Sequence, residues 1–298
     1  MRLLILGGNG QVGMLLANHC RKNFLEYRLL TRKELDITNE NMVAKFFASD
    51  HEFNFVVNAA AYTDVDKAES ESELAFSTNG MALKYLAEHC KKHKIPLLHL
   101  STDYVFDGIK TIPYEEDDLV SPINIYGKSK LRGEEFIKEI WDKHIILRVS
   151  WVFSATGNNF IKNILKLGGK KEKINVVADQ IGCPTAAEHI AAVIIIVCQE
   201  QLQSKKADER WGIYHYADFP TTTWHQLAKY TLNKAKQMGL PIITQSVTSI
   251  SSADYTTVAK RPFNSVLSVN KLETIFDTEQ FYWQQGVDHV VNQMTTIE

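Results

Sequence analysis

Cysteine, proline and long apolar stretches are all scarce in this chain. Its four cysteines, Cys20, Cys90, Cys183 and Cys198, are far apart, and neither a Cys-x-x-Cys pair nor a Cys/His cluster occurs. We therefore expect no disulfide framework, no metal site and a reducing compartment such as the cytoplasm. The longest apolar run, which includes residues 191–198, is far shorter than the roughly 20 residues that cross a membrane. The sequence therefore predicts a cytoplasmic protein without a membrane span.

An excess of charge of one sign is also missing. Lys plus Arg number 33 and Asp plus Glu number 35, which gives a formal charge of −2 over 298 residues. Nucleic-acid binding is therefore not expected. Hydrophobic residues make up 45% and charged residues 23%, which is typical of a globular protein and excludes a disordered or fibrous chain. A chain of this length can bury a large core and divide into two lobes.

Short apolar runs alternate with helical patterns in the first half of the chain. Strands are predicted at residues 3–6, 27–30, 55–57, 97–100 and 145–147. The connections between them are long enough for helices, so we expect the α/β class with a Rossmann-type, doubly wound parallel sheet. Ligands of such sheets bind where the strands end, and the residues after each strand are therefore the candidates for a site.

The chain is expected to divide into two interleaved lobes. Residues 1–150 would form the dinucleotide-binding domain, and a segment at about 174–200 would return to it. Within that segment, residues 174–177 are predicted to add a strand to the main sheet. A smaller C-terminal substrate-binding lobe would comprise about 151–173 and 201–298, with the substrate in the cleft between the lobes.

A glycine-rich turn follows the first predicted strand. Residues 7–13 read Gly-Gly-Asn-Gly-Gln-Val-Gly, with Gly7, Gly10 and Gly13 where the strand must turn tightly into a helix. Glycine lets the backbone approach a pyrophosphate, and the helix N-terminus offers N–H donors to it. Such a string also occurs in ordinary turns, but its place between a strand and a helix favours dinucleotide binding.

The residues after the second strand bear on the choice of cofactor. NAD-binding chains usually carry an acidic residue there, whereas this chain has Thr31-Arg32-Lys33. Arg32 can bind a 2′-phosphate, which favours NADPH, with NADH as a second usable cofactor. A solvated basic loop is the alternative. Asp36 and Ile37 are expected to line the adenine.

Small and polar residues surround the third strand. Ala59, Ala60 and Ala61 directly follow it and would let a flat ligand lie against the backbone. Asn79 falls on the apolar face of the next predicted helix, where a buried amide needs partners. Asn79 either holds a water or backbone near the site, or is a satisfied core amide.

A set of residues suited to carbonyl reduction follows the fourth strand. Ser101 and Thr102 end that strand, and Tyr126 and Lys130 share one face of the next helix. The lysine cation is expected to lower the pKa of the phenol, which could then exchange a proton with a substrate oxygen. A hydroxyl from the strand end could bind the same oxygen.

A second Tyr-x-x-x-Lys pair, Tyr230/Lys234, shows that this spacing also arises by chance in a chain with 11 tyrosines. No comparable strand precedes this pair. We therefore predict that it forms only an ordinary helix face.

Together these motifs resemble the extended short-chain dehydrogenase/reductase family. Longer strings narrow the resemblance; they lie at residues 58–69, 101–108, 148–153, 157–160, 179–185, 221–225 and 261–265. They are similar to the dTDP-4-dehydrorhamnose reductases, and the similarity extends from Met1 to about Met294. The resemblance implies hydride transfer from NADPH or NADH to C4 of the nucleotide sugar dTDP-4-dehydro-L-rhamnose.

The resemblance also implies residue roles. Tyr126 would donate the proton, Lys130 would tune it and hold the nicotinamide ribose, and Thr102 would assist. The other implied cofactor contacts are Gly10, Gln11, Val12, Asp36, Ile37, Ala61, Tyr62 and Thr63. The motifs described above add Gly7, Gly13, Arg32, Ala59 and Ala60 to the expected cofactor site. The implied substrate contacts are Thr102, Asp103, Trp151 and Arg261. A core aromatic and a surface ion pair are the alternatives for Trp151 and Arg261.

The chain departs from the family at two places. The acidic residue that some relatives carry after the second strand is absent here. Some relatives dimerise through a magnesium ion held by glutamates, and the corresponding residues here are Leu15, Glu188 and Gln293. With one carboxylate left, we expect no structural metal and either a monomer or a weak homodimer.

Two other functions are compatible with the motifs. A nucleotide-sugar 4-epimerase uses the same residues but returns the hydride to the sugar. A non-catalytic regulatory subunit, like the beta subunit of methionine adenosyltransferase, resembles the family without catalysing the reaction.

Overall fold

The computed structural model describes residues 1–295, in which strands and helices alternate. In chain order they are β1 (Arg2–Leu6), α1 (Gln11–Lys22), β2 (Glu26–Leu30), α2 (Glu40–Ser49), β3 (Phe55–Asn58), α3 (Val65–Ala68), α4 (Ser72–Phe76), α5 (Ala82–His93), β4 (Leu97–Thr102), α6 (Ile125–Ile140), β5 (His144–Val149), β6 (Val152–Phe153), α7 (Phe160–Gly168), β7 (Lys173–Val177), β8 (Ile181–Gly182), β9 (Thr185–Ala186), α8 (Ala187–Gln203), β10 (Gly212–Tyr216), β11 (Thr222–Thr223), α9 (Trp224–Gln237), β12 (Ser246–Ile250), α10 (Asn270–Phe276) and α11 (Trp283–Thr295).

The central sheet has six parallel strands in the order β10-β5-β4-β3-β1-β2. Successive side chains of β1 enter two different cores, because neighbouring residues of a strand face opposite sides. Leu3 and Ile5 pack with α1 and α8, whereas Leu4 and Leu6 pack with α2 and α5. The predicted α/β fold with a doubly wound parallel sheet is thus confirmed.

The prediction for residues 174–177 is wrong. The strand β7 pairs with β12 in a separate two-stranded sheet, and β10 is the strand that completes the main sheet. Ile174 and Val176 are buried against α7 and α9. The helix α8, in contrast, does pack against α1 on the main sheet, as the segment was expected to do.

A second group of elements follows β5 and builds cores of its own. The helices α7, α9 and α11 pack around Ile161, Leu227 and Val287, and α9 also covers the β7–β12 pair. Within residues 1–295, no helix is both long and apolar enough to cross a membrane.

The predicted helix that contains Asn79 is interrupted by a wider turn. A π-helical turn, Ser77–Met81, joins α4 to α5. Such a turn holds one more residue than an α-helical turn and is frequent at functional sites. It contains Asn79, which is 1% exposed.

Candidate active site

The turn between β1 and α1 is built from backbone contacts that require glycine. Gly7 has φ +88°, and a Cβ there would lie 2.7 Å from the Ala59 backbone. A Cβ on Gly13 would lie 2.3 Å from the Gly7 carbonyl oxygen. The helix α1 then begins at Gly10 without a side-chain cap or an acidic residue in its first turn. This uncapped positive helix end fits a pyrophosphate.

The end of β2 lies beside this turn, because the Gly8 N–H donates to the Leu30 carbonyl at 2.9 Å. Arg32 is 66% exposed, and its Nε lies 3.0 Å from Oδ2 of Asp36. Burial raises the pKa of Asp36, but hydrogen bonds from Thr38 and Arg32 outweigh that effect and leave the pKa below its ordinary value. A cation is therefore present where a 2′-phosphate would need one.

Sequence reasoning missed an acidic side chain at this strand end. Glu34 folds back and accepts hydrogen bonds from both the backbone N–H and the hydroxyl of Thr31, each at 2.8 Å. These bonds lower the pKa of Glu34. The carboxylate therefore organises the loop that carries Arg32.

Asn79 clamps the loop after β3 to the helix α6. Its Oδ1 accepts from the Tyr62 N–H at 2.8 Å, and its Nδ2 donates to the Tyr62 carbonyl at 3.0 Å and to Ser129 Oγ at 3.0 Å. Of the two roles considered for Asn79, the structure supports the one that holds backbone near the site. Ala59, Ala60, Ala61 and Thr63 flank the clamped residue on the same loop.

The end of β4 carries a buried carboxylate with a free oxygen. The Thr102 hydroxyl donates to Asp103 Oδ1 at 3.0 Å and accepts from the Tyr104 N–H at 3.2 Å. Asp103 is 2% exposed, and its Oδ2 makes no hydrogen bond within residues 1–295. Burial raises the pKa of Asp103 to about 7, although the nearby hydroxyls of Ser265 and Thr102 oppose this rise. The Ser265 hydroxyl, which is also buried without a hydrogen bond within residues 1–295, lies near this carboxylate.

Tyr126 lies in the first turn of α6, directly beside this carboxylate. Burial raises the pKa of Tyr126 to about 12, the nearby Thr102 hydroxyl opposes the rise, and Asp103 adds to it. The expectation that Lys130 lowers the pKa of this phenol is therefore wrong for the chain in this state. Asn124 caps the helix, because its Oδ1 accepts from the Gly127 N–H at 2.7 Å.

The Lys130 side chain is buried against β4. It is 2% exposed, and its Nζ lies 2.6 Å from the Leu100 carbonyl and 3.1 Å from His99 Nε2. Burial lowers the pKa of Lys130 to about 7, while Glu134 acts in the opposite direction. His99 is a neighbour that sequence reasoning did not identify.

The two expected substrate contacts from the second half of the chain differ in their surroundings. Trp151 lies two residues after the end of β5, is half-buried and has φ +44°, a conformation that is rare outside glycine. Arg261 forms a two-point ion pair with Asp66 of α3, with Nη2 and Oδ2 2.6 Å apart. The alternative considered for Arg261, an ion pair, is therefore present in this state.

Ser154, Asn159 and Trp224 are three further positions that sequence reasoning did not find. The Gln11 side chain accepts from Ser154 Oγ and Asn159 Nδ2, each at 2.9 Å, and so joins the glycine turn to the loop after β6. Trp224 stacks on Trp151. These contacts join distant parts of the chain, and periodicity carries no signal for them.

The second Tyr-x-x-x-Lys pair, Tyr230 and Lys234, joins α9 to α11. Both side chains bind Asp288 of α11, at 2.9 Å and 2.7 Å, respectively. Within residues 1–295, no group of three or more His, Cys, Asp or Glu side chains is arranged to hold a metal ion. The absence of a structural metal stays a prediction.

The fold and this site define a class of protein. A parallel sheet with a glycine turn after β1, a hydroxyl at the end of β4 and a Tyr-x-x-x-Lys pair on the following helix are the features of a short-chain dehydrogenase/reductase.

Comparison with known proteins narrows the class. The family model described as the RmlD substrate binding domain matches residues 1–296. A dTDP-4-dehydrorhamnose reductase of Aggregatibacter actinomycetemcomitans is 40% identical over 290 residues, which cover 97% of this chain and 98% of that protein. The chain belongs to the RmlD family, which includes such dTDP-4-dehydrorhamnose reductases.

Two crystal structures of dTDP-4-dehydrorhamnose reductases are similar to this chain over nearly its full length. The protein from Clostridium acetobutylicum is 32% identical with a TM-score of 0.90, and the match covers 99% of this chain and 100% of that one. The protein from Bacillus anthracis, solved in complex with NADP, is 32% identical with a TM-score of 0.88 and covers 98% and 99% of the two chains.

Proposed function

We propose that this chain uses NADPH to reduce the C4 keto group of dTDP-4-dehydro-L-rhamnose, giving dTDP-L-rhamnose. The names of its relatives and the NADP in one similar structure support this. The observation that carries the proposal is the placement of Thr102, Asp103 and Tyr126 together, with a free buried carboxylate oxygen at Asp103.

The residues of the β1–α1 turn suit the cofactor. The uncapped N-terminus of α1 would hold its pyrophosphate, and Arg32 would meet the 2′-phosphate. The bound cofactor would supply the hydride. The residues that would hold it are Gly7, Gly10, Gln11, Val12, Gly13, Arg32, Asp36, Ile37, Ala59, Ala60, Ala61, Tyr62, Thr63, Tyr126 and Lys130.

Tyr126 is the proposed proton donor to the substrate oxygen. Its raised pKa, about 12, keeps the phenol protonated at neutral pH, so it has a proton to give. Thr102 would hold the same oxygen, and Lys130 would return a proton to the phenolate. The free oxygen of Asp103 would bind a sugar hydroxyl, with Trp151 closing the pocket.

Arg261 is the proposed contact for the diphosphate. In the present arrangement its charge is shared with Asp66, and two N–H groups of the guanidinium face that carboxylate. An arginine has five N–H donors, so the guanidinium has donors left for phosphate oxygens while it still binds Asp66.

The lobe arrangement is proposed with two changes from the sequence-based division. Residues 1–150, α8 and β10 would form the dinucleotide-binding domain, and about 151–173 with most of 201–298 would form the substrate-binding lobe. The strand β7 moves to the second lobe because it pairs with β12, and β10 moves to the first because it pairs with β5. We also propose a cytoplasmic location.

A monomer or weak homodimer is the proposed assembly. Glu188, the one carboxylate left at the place of the metal-binding glutamates, is surrounded by His19, Lys22 and His289 at 3.5, 3.9 and 3.5 Å. Lys22 is a cation, and the two imidazoles also face this carboxylate, which leaves it less available to a bridging ion. Light scattering with magnesium and with a chelator should give the same mass; a dimer that needs magnesium would contradict this.

The function is tested by absorbance at the reduced-nicotinamide band, with purified chain, dTDP-4-dehydrorhamnose and NADPH or NADH in separate cuvettes. We expect signal loss that depends on both sugar and protein and is faster with NADPH. Folded protein that binds the cofactors but oxidises neither would contradict the proposal. Tight retention of NAD⁺ through purification would then favour the epimerase, and co-purification of a partner enzyme the regulatory subunit.

A further inference from the structure

His99 is a buried histidine to which none of the proposed roles assigns a task. It lies on β4 opposite Asn58 of β3, and both residues are 0% exposed. Its Nδ1 is 3.0 Å from Asn58 Nδ2, and its Nε2 is 3.1 Å from Lys130 Nζ. The His99 imidazole therefore connects the side-chain amide of Asn58 to Lys130.

The orientation of Asn58 determines which nitrogen of His99 carries the proton. Asn58 Oδ1 accepts from the Ala60 N–H at 3.2 Å, so the Asn58 amide nitrogen faces His99. That amide donates and His99 Nδ1 accepts in this arrangement, although the Asn58 backbone carbonyl, which raises the pKa of His99, also lies near the ring. A neutral imidazole has one N–H, which is then on Nε2; this tautomer is assigned from the hydrogen-bond network.

The tautomer has a consequence for Lys130. An Nε2–H donor needs a lone pair opposite it, which an uncharged amine has and an ammonium group lacks. The Leu100 carbonyl accepts an N–H of the same amine at 2.6 Å. Every hydrogen-bond donor in the Asn58–His99–Lys130 network therefore faces an acceptor when Lys130 is uncharged. A charged Lys130 places two donors against each other.

The charged groups around this hydrogen-bond network do not reverse the preference for an uncharged Lys130. Glu134, one turn along α6, favours the ammonium form, but its carboxylate binds Arg148 of β5 with Nη2–Oε2 2.7 Å and Nε–Oε1 3.0 Å. Asp103 and Tyr126 lie towards the substrate side. The α5 face packed in this layer is apolar, with Ala82, Leu83 and Leu86. Burial lowers the pKa of both Lys130 and His99.

We propose that His99, fixed by Asn58, is a positioning residue that favours the uncharged Lys130 amine and thereby sets the upper pH limit of the reduction. This rests on the proposed function. After Tyr126 gives its proton to the substrate oxygen, the Lys130 ammonium returns one to the phenolate and becomes an amine. The amine then takes its next proton from water, so the net reaction consumes one proton from solvent.

The first test does not depend on activity. Nitrogen NMR of the full chain labelled at histidine, measured above pH 8, should show His99 with Nε2 protonated and Nδ1 bare. The His99→Gln protein, which lacks this signal, provides the assignment. The opposite tautomer, or a ring protonated at both nitrogens, would overturn the proposal whether or not the chain turns over the sugar.

The second test is the pH profile of kcat for His99→Gln. The Gln side-chain oxygen can accept from an ammonium group, so Lys130 should stay charged to higher pH. The descending limb of the profile, where kcat falls at high pH, should therefore move up by about one pH unit. His215→Gln is the matched control, because His215 is another fully buried histidine of the main sheet but contacts Arg148. Its descending limb should not move.

An unmoved or lowered limb in His99→Gln, or an equal shift in His215→Gln, would overturn the proposal. If His99→Gln does not fold, Asn58→Asp serves in its place. A carboxylate at residue 58 accepts from Nδ1–H, which leaves Nε2 to accept from Lys130, and the limb should again move up. Absence of turnover in the wild type would count against the proposed function alone, since the NMR test still decides the tautomer.

Discussion

The indole rings of Trp151 and Trp224 are stacked face to face, with centroids 3.5 Å apart and planes 8° apart. Trp224 is itself held by Gln180, which accepts from its Nε1 at 3.1 Å. On the other side, a Cβ on Gly182 would lie 2.5 Å from the Trp151 ring. The Trp151 indole is thus packed against both Trp224 and Gly182 and forms a fixed wall.

Replacing Trp224 by Leu should loosen this wall. We expect the KM for the nucleotide sugar to rise about 3- to 10-fold, because an aromatic pair is worth about 0.5–1.5 kcal/mol, while kcat changes less. Steady-state kinetics measure both constants. Trp211→Leu is the control, since Trp211 packs at the edge of the main-sheet core. Equal KM values in Trp224→Leu and the wild type would contradict the role of the stack.

Replacing Tyr126 by Phe should remove the proton donor and leave the fold intact. We expect kcat to fall by about 10²–10⁴, the usual contribution of general acid catalysis, with NADPH binding unchanged. Rates and cofactor titration are the measurements. The same substitution at Tyr230, which binds Asp288 far from the site in sequence, should leave kcat unchanged and cost about 1 kcal/mol of stability. Near-normal turnover by Tyr126→Phe would show that another group is the acid.

Replacing Arg32 by Ala should change cofactor preference. We expect the KM for NADPH to rise about tenfold while that for NADH stays constant. A hydrogen bond to a charged group is worth about 1.5–3 kcal/mol, less at this exposed position. Initial rates with each cofactor test this, with Lys33→Ala as the control. A uniform loss with both cofactors would mean that Arg32 acts through the loop.

Asp103 should make the stability of the chain depend on pH. Its pKa is about 7 in the folded chain, against about 3.9 for an unperturbed Asp. Between these values the folded state binds more protons than the unfolded state, so stability falls as pH rises from about 4 to about 7. The loss is of the order of 3–4 kcal/mol, because each unit corresponds to about 1.4 kcal/mol.

Replacing Asp103 by Asn should remove this loss of stability with rising pH. Urea unfolding should find the variant more stable than the wild type at pH 8, with the difference shrinking as pH is lowered towards 4, while its KM for the sugar rises. Asp117→Asn, an exposed site on the neighbouring loop, should show no such trend. A variant that is less stable than the wild type at pH 8 would mean that the carboxylate is compensated by contacts outside this account.

Aliphatic patterning identified most of the main sheet but could not identify every strand in it. Leu97 and Leu98 belong to an uninterrupted buried run, which is typical of a central parallel strand. The strand β10 was missed, because its buried residues are Tyr214, His215 and Tyr216. The strand β7 was found but placed in the wrong sheet, since the pattern of buried residues does not say which strand lies beside them.

The candidate site was predictable where its residues lie next to strand ends. Thr102, Asp103 and the glycine turn were found in this way, and the structure brings them to the same edge of the sheet. The direction of the Lys130 side chain was not predictable. It depends on a hydrogen bond to His99, which lies 31 positions away in the chain and whose tautomer is set in turn by Asn58.

The clamp at Asn79 limits how this protein can be re-engineered. One side chain holds both the Tyr62 backbone, which belongs to the proposed cofactor wall, and Ser129, next to Lys130 on α6. Changes to that wall will therefore be transmitted to the catalytic helix, and cofactor affinity and turnover will vary together. A designer who wants a different nicotinamide cofactor should begin instead at the exposed end of β2, where Arg32 can be changed without moving α6.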